Sequence, residues 1–316
     1  MAAAAPPHLT LMTKKRILLL LTFLLLLYVV VPRFGGFSES FRVVANANMF
    51  YVGLAFTAVV ATYLTAAAVY CKLAIRHLAY RPTLLVQLAS AFTNRLLPAG
   101  IGTLTLYVQY LRKIKHTTSQ AVTVVGVNNV LGMLAHTVLL AIVLILFADT
   151  LQPGWLSHME GGMIGAVSLV IGIIVLALLL IFKQLRQRAY RLVSEVKLNI
   201  YNYRKRPRRL LGALGFSLLT TVCYIAAFFF CAVAVDVHLG IHQIFMVFTV
   251  GMITGTVTPT PGGLVGAEAG LTGGLIAYGV LPDTALAAVL LYRFLTYWLP
   301  LIPGFITFIR IRRLYS

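Results

Sequence analysis

Three charged side chains, Arg95, Glu268 and Arg293, lie inside long apolar stretches of this chain of 316 residues. An ionisable group at membrane depth is costly unless it is paired or hydrated, so each one is a candidate functional residue. Arginine binds carboxylate or phosphate groups in a bidentate manner, and a carboxylate near a helix start is favoured by the free N–H groups there. The residue types therefore predict an anion-binding site. Two roles stay open for each residue: Glu268 and Arg293 bind a ligand or form a structural ion pair, and Arg95 contacts a phosphate or snorkels to the interface.

Two of these residues belong to apolar segments that glycine and proline interrupt, at residues 91–102 and 254–268. Proline removes a backbone donor and glycine loosens a helix, so both segments are predicted to break near their middles. Broken helices at membrane depth need protein or a water-filled cavity around them, and a matched pair in two halves of a chain indicates a transporter's binding site. With the three charged residues, the predicted binding residues are Asn94, Pro98, Pro261, Gly262, Gly263, Gly266 and Tyr292.

Polar and aromatic residues near these segments have simpler interpretations. Tyr297 and Trp298 follow Arg293 and, with Tyr292, are typical of the aromatic belts at membrane interfaces. Asn128 is read as a polar contact between helices, and His136 as a packing residue.

The composition is that of an integral membrane protein, with 60% hydrophobic and 10% charged residues and a mean hydropathy of +0.93. The net charge of +19 is spread over short loops between apolar segments, which argues against nucleic-acid binding. No nucleotide-binding loop or serine-hydrolase motif is present in the sequence. We expect no catalytic residue set, no cofactor and no metal site.

The apolar segments predict an all-α, polytopic bundle of six spans and two re-entrant hairpins. A core of ~30 Å needs about 20 residues of helix, and each span is near or above that length. The predicted spans are residues 15–32, 47–71, 118–148, 161–182, 210–235 and 284–309. The interrupted segments, 83–111 and 243–280, have arms too short to cross the core and are predicted to be the hairpins. We expect the first span to be retained and not cleaved as a signal peptide.

The basic residues predict the topology. If both termini are cytoplasmic, the predicted loops place nearly all of the 26 Lys and Arg on the cytoplasmic side. Residues 1–150 then form three spans and a hairpin entering from the cytoplasm, and residues 151–316 form three spans and a hairpin entering from outside. The two halves are predicted to be inverted repeats in the cell membrane. The basic segment 183–209 is predicted to bind anionic inner-leaflet lipids.

Two motifs carry a family resemblance. Residues 258–268, TPTPGGLVGAE, followed by residues 292–300, YRFLTYWLP, resemble the flippase-like transmembrane domain of lysylphosphatidylglycerol synthases. Residues 92–100, FTNRLLPAG, resemble the first-half motif of that family. In its two-domain members a soluble domain attaches an amino acid to a lipid and the membrane domain moves the product between leaflets. The resemblance therefore implies lipid translocation and not lipid synthesis.

The residues and the resemblance together predict a lipid translocase for an anionic or lipid-linked headgroup. Transport is favoured over catalysis, but two alternatives stay open. One is a membrane-embedded enzyme acting on lipid or polyprenyl phosphate headgroups, and the other is a non-catalytic scaffold for a lipid or glycan synthase. The expected partners are a membrane phospholipid or lipid-linked substrate and inner-leaflet lipids, and assembly into a homo-oligomer also stays open.

Overall fold

The fold is all-helical over the residues that the computed structural model describes, which are 37–96, 101–147, 207–258 and 260–315. The α-helices in chain order are α1 (Phe37–Ala45), α2 (Met49–Leu73), α3 (Tyr80–Leu96), α4 (Ile101–Lys113), α5 (Thr118–Phe147), α6 (Pro207–Ala234), α7 (Ile241–Val257), α8 (Gly266–Ala277), α9 (Pro282–Arg293) and α10 (Leu301–Tyr315). A 3₁₀ turn, Pro261–Gly263, precedes α8, and a π-helix, Phe294–Trp298, joins α9 to α10.

Four helical segments in the described part of the chain are long and apolar enough to cross a membrane. They are Met49–Leu73, Thr118–Phe147, Pro207–Ala234 and Pro282–Ile311, which confirms helices at four of the six predicted spans. The predicted spans 15–32 and 161–182 lie outside the described residues, as does most of the basic segment 183–209. Six spans and re-entrant hairpins therefore stay predictions.

The centre of the bundle is the pair α2 and α6, which run antiparallel. The backbone N–H of Asn48, at the start of α2, donates to the C=O of Ala234 at 2.8 Å, at the end of α6. Further along, the hydroxyls of Thr65 and Thr220 lie 2.8 Å apart. As the residue number rises along α2 it falls along α6, so the chain directions are opposed.

Each interrupted segment folds into two helices that pack against each other, α3 with α4 and α7 with α8. Between α7 and α8 the close approach depends on glycine. A Cβ on Gly255 would lie 2.9 Å from the Cβ of Ala267, and a Cβ on Gly274 would lie 2.9 Å from Val247 Cγ1. Small residues let two apolar helices pack backbone to backbone. The glycine content of α8, which lowers helix propensity, is thus compensated by packing.

The π-helix interrupts what the sequence predicts as one continuous last span. The N–H of Leu299 donates to the C=O of Phe294, five residues earlier, at 2.9 Å. Pro300 and Pro303 have no N–H, so they cannot continue the regular ladder at this point. Single-turn π segments often occur at functional sites, and this one lies next to Arg293.

A candidate anion site in an arginine-lined cavity

A cavity of about 610 Å³ lies between α2, α3, α5, α6, α7, α9 and the π-helix. Its volume falls within the range of small-molecule sites, roughly 300–1,000 Å³. Tyr63, one of its lining residues, lies near the middle of α2, a helix long enough to span a bilayer. Both charged residues that line it, Arg95 and Arg293, were predicted from the sequence. The cavity therefore brings the arginine of the first broken segment and the arginine of α9 to one place, at about mid-depth of the bundle, whereas Glu268 is not among its described lining residues.

Glu268 and Arg293 form the ion pair that the sequence left open. Arg293 Nε lies 2.6 Å from Glu268 Oε1, and the two side chains are 13% and 22% exposed. Glu268 belongs to the first turn of α8, where the free N–H groups and the helix dipole favour a carboxylate. Arg293 also donates from Nη2 to the C=O of Gly262 at 3.4 Å. Arg293, at the end of α9, thus contacts both the start of α8 and the 3₁₀ turn Pro261–Gly263, called the glycine turn below.

Arg95 is held by backbone oxygens. Its Nη1 donates to the C=O of Ala91 at 2.8 Å, and its Nη2 donates to the C=O of Thr296. The carbonyl of Thr296 is available because Pro300, four residues later, has no N–H to donate to it. Within the described residues, no carboxylate forms a salt bridge with Arg95, and Arg95 Nε is buried without a hydrogen-bond partner. Arg95 therefore contributes a positive charge that the described residues do not neutralise.

Tyr297 connects the two arginines. The guanidinium carbons of Arg95 and Arg293 each lie 5.0 Å from the centroid of its ring, within the distance of cation–π attraction. Tyr297 is buried, at 7% exposure, and so is Tyr292, whereas Trp298 is 54% exposed. The aromatic-belt interpretation of Tyr292 and Tyr297 does not fit this burial. The missed signal was its spacing of four residues from Arg293, which stacks the two residues on one helical face.

The glycine turn before α8 is shaped by contact with Tyr297. Gly262 and Gly263 have φ angles of +66° and +67°, which L-residues with a side chain rarely adopt. A Cβ on Gly262 would lie 2.5 Å from Tyr297 Cε2. Val265, the residue before α8, also has a positive φ of +71°, which is strained for a β-branched residue. The backbone that carries Glu268 is therefore in a strained turn.

The other predicted residues are distributed around this centre. Asn94 lines the cavity, and its Oδ1 is buried with no hydrogen-bond partner among the described residues. Tyr292 lines the cavity and packs edge to face on Phe228, with ring centroids 5.1 Å apart. Gly266 is buried at the first position of α8, and Pro261 begins the 3₁₀ turn. Pro98 lies outside the described residues.

Several lining residues were missed or read as packing residues in the sequence. Tyr63 Oη lies 3.5 Å from Arg95 Nη2, but nothing in its position along α2 marks it. His136 and Asn128 line the cavity from α5. His136 Nε2 also lies 3.2 Å from the hydroxyl of Thr249 on α7, so this histidine both packs and faces the cavity.

Comparison with known proteins agrees with the two motifs. The sequence model of the family described as "Lysylphosphatidylglycerol synthase TM region" matches residues 16–304. A protein named "Phosphatidylglycerol lysyltransferase" from Staphylococcus aureus (strain MRSA252) is 32% identical over 93 residues, which are 28% of this chain and 11% of that protein. The match thus spans about a tenth of the curated relative's length. Because the family match covers most of the chain and the described helices include four candidate spans, this multi-pass membrane protein belongs to the lysylphosphatidylglycerol synthase TM region family.

Proposed function

We propose that this protein is a lipid translocase that moves an anionic or lipid-linked headgroup between leaflets through the arginine-lined cavity. The single observation that carries the proposal is Arg95, a cation at mid-depth that lines a cavity of about 610 Å³ and has no carboxylate partner among the described residues. A partly buried charge without an ionic partner is costly, and arginine binds phosphate groups in a bidentate manner. A lipid phosphate entering the cavity would supply the missing negative charge.

The packing of the helices supports the proposed inverted repeat of residues 1–150 and 151–316. The helix pair α3 and α4 has a counterpart in α7 and α8. The arm α3 packs on α10 of the other half, and the arm α7 contacts α5 of the other half through Thr249 and His136. A two-fold axis in the membrane plane makes equivalent helices antiparallel, as α2 and α6 are. Such a repeat would open the same cavity to either leaflet in turn.

The relatives support a lipid substrate. The description of the matched family refers to a lysylphosphatidylglycerol synthase, and the name of the S. aureus relative refers to phosphatidylglycerol. We place this chain in the cell membrane with cytoplasmic termini, on the distribution of its basic residues.

In the proposed cycle, Arg95 anchors the phosphate and Arg293 exchanges partners. Arg293 is neutralised by Glu268, so it has little free charge to attract the lipid at first. When the phosphate reaches Arg95, Arg293 releases the carboxylate and binds the phosphate. The release also loosens the glycine turn, because Arg293 bonds to the C=O of Gly262. Substrate binding is thereby coupled to movement of α8.

A vesicle assay tests this function. Purified protein is reconstituted with a trace of phosphatidylglycerol labelled on its acyl chain with a nitrobenzoxadiazole dye, and dithionite quenches the dye of the outer leaflet. Wild type should expose most of the inner-leaflet dye within the assay, and Arg95→Gln should reduce the rate at least tenfold. Arg310→Gln, which changes an exposed arginine of α10 outside the cavity, is the matched control.

Three results would contradict the proposal. Wild-type vesicles that expose no more dye than protein-free vesicles would exclude translocation of this lipid. Equal rates for Arg95→Gln and wild type would exclude the arginine anchor. Chemically altered lipid after incubation would favour the alternative of a membrane-embedded enzyme.

A further inference from the structure

Several hydroxyl groups that line the cavity already donate their protons to backbone carbonyls of the preceding helical turn. Ser90 donates to the C=O of Gln87 at 2.8 Å, Thr256 to the C=O of Met252 at 2.7 Å, and Thr296 to the C=O of Tyr292 at 2.7 Å. All three hydroxyl residues line the cavity. A hydroxyl has one proton and two lone pairs, so each of these oxygens can only accept from a ligand.

A fourth acceptor is Asn94 Oδ1, which is buried and has no donor among the described residues. Buried acceptors without a donor are unfavourable, because the lost hydration is not replaced. The four acceptors come from α3, α7 and the π-helix, so they line the cavity from several sides. A ligand that satisfies them must bring several O–H or N–H donors.

The charges of the cavity decide which donors fit. The charged residues among its described lining are Arg95 and Arg293, with no aspartate or glutamate. Glu268, the carboxylate nearest to them, is bonded to Arg293. An ammonium group entering this cavity would meet two guanidinium groups and no free carboxylate of the described lining. Donors on a neutral group, such as alcohol O–H groups, meet no such repulsion.

Resting on the proposed function, we propose that the substrate headgroup is a phosphate diester carrying an uncharged polyol, such as glycerol, inositol or a sugar. The phosphate binds the arginines, and the polyol O–H groups donate to Ser90, Asn94, Thr256 and Thr296. The cavity selects against headgroups esterified with a cationic amino acid, since the added ammonium group has no partner there.

Three lipids that differ only in the headgroup test this specificity. Phosphatidylglycerol carries the phosphate diester and two hydroxyls. Phosphatidylpropanol has the same charge and the same three-carbon chain without the two hydroxyls, and lysyl-phosphatidylglycerol adds the ammonium groups of lysine. In the dithionite assay we expect phosphatidylglycerol to be moved fastest, with roughly a fivefold loss for each hydrogen bond that phosphatidylpropanol cannot make. Lysyl-phosphatidylglycerol should be moved at least tenfold more slowly than phosphatidylglycerol.

Variants test whether the hydroxyl acceptors of the cavity cause this headgroup preference. The double variant Thr256→Val, Thr296→Val keeps the shapes of the side chains and removes two acceptors. Its ratio of phosphatidylglycerol to phosphatidylpropanol rates should fall by roughly fivefold for each hydrogen bond that is lost, while Ser90 and Asn94 still accept from the polyol. Thr137→Val is the matched control, since Thr137 donates to the C=O of Met133 at 3.0 Å in the same way but lies on an exposed face of α5 away from the cavity. Arg95→Gln should slow both lipids and keep their ratio.

The outcomes separate this inference from the proposed function. Equal wild-type rates for phosphatidylglycerol and phosphatidylpropanol, or a faster rate for the lysyl lipid, would overturn the inference while translocation stands. Native mass spectrometry of the purified protein with the same three lipids measures binding without transport. A polyol preference in binding with no movement in vesicles would refute translocation and keep the headgroup class. Equal binding of all three lipids would refute the headgroup class whether or not any lipid moves.

Discussion

The ion pair of Glu268 and Arg293 allows a quantitative prediction. Glu268→Gln and Arg293→Gln each remove one charge while keeping most of the side-chain shape. Removing one partner leaves the other as an uncompensated charge at partial burial, with exposures of 13% for Arg293 and 22% for Glu268. We therefore expect each single variant to lower the free energy of unfolding by ~2–4 kcal/mol, at or below the range for fully buried pairs.

The coupling between the two changes follows from their separation. The closest atoms are 2.6 Å apart, which places the charge centres about 4 Å apart and gives ~4 kcal/mol at an effective dielectric constant of ~20. The cost of desolvating the pair offsets part of this energy, so the double-mutant cycle should give a coupling of ~1.5–3 kcal/mol. The double variant should consequently be more stable than the sum of the single losses predicts.

The cycle is measured by denaturant unfolding of the protein in mixed micelles, with tryptophan fluorescence as the signal. A second cycle, combining Glu268→Gln with Arg310→Gln, is the control, because Arg310 is exposed on α10 and forms no salt bridge with Glu268. That control should be additive within about 0.5 kcal/mol. Additive losses for Glu268 and Arg293 themselves would refute the pairing on which the proposed exchange of partners depends.

Three further predictions concern the turn, the loops and the topology. Gly262→Ala should destabilise the protein by ~1–3 kcal/mol through its positive φ alone, and by more through contact of the new Cβ with the ring of Tyr297. The control is Gly273→Ala, whose Cβ meets nothing within 4 Å and which should be neutral or stabilising in the same unfolding assay. Burial lowers the pKa of His116, in the α4–α5 loop, so the folded protein favours the neutral ring. The contribution of His116 to the free energy of unfolding should be fully present above pH ~6.5 and should be lost as the pH falls below that value. His116→Gln should flatten this part of the stability profile. Single cysteines at Thr117 and Asp236, in a background without the native cysteines, should react with membrane-impermeant thiol reagents from opposite sides; reaction from the same side would contradict the predicted topology.

Much of the fold could be predicted because membrane helices are determined locally. An apolar run long enough to cross a bilayer satisfies its backbone only as a helix, so its type and approximate ends can be read from the sequence. The interruptions were also readable, since proline and glycine act on the backbone where they stand. The helix α1 was not assigned from the sequence, because a helix of nine residues has little signal of its own and is stabilised here by packing on α9.

The sequence by itself determined which residues were unusual: a carboxylate and two arginines in apolar segments are conspicuous because their burial is costly. Only the tertiary structure decided how they are paired. Glu268 accepts from Arg293 through Oε1, whereas Arg95 donates to backbone carbonyl oxygens. The carbonyl of Thr296 is available through Pro300, but which side chain reaches it depends on how α3 packs against the last helices. Tyr297 lies between the two arginines for the same reason. Charge and hydropathy are properties of single residues, whereas the choice of partner depends on distances that only the packed bundle fixes.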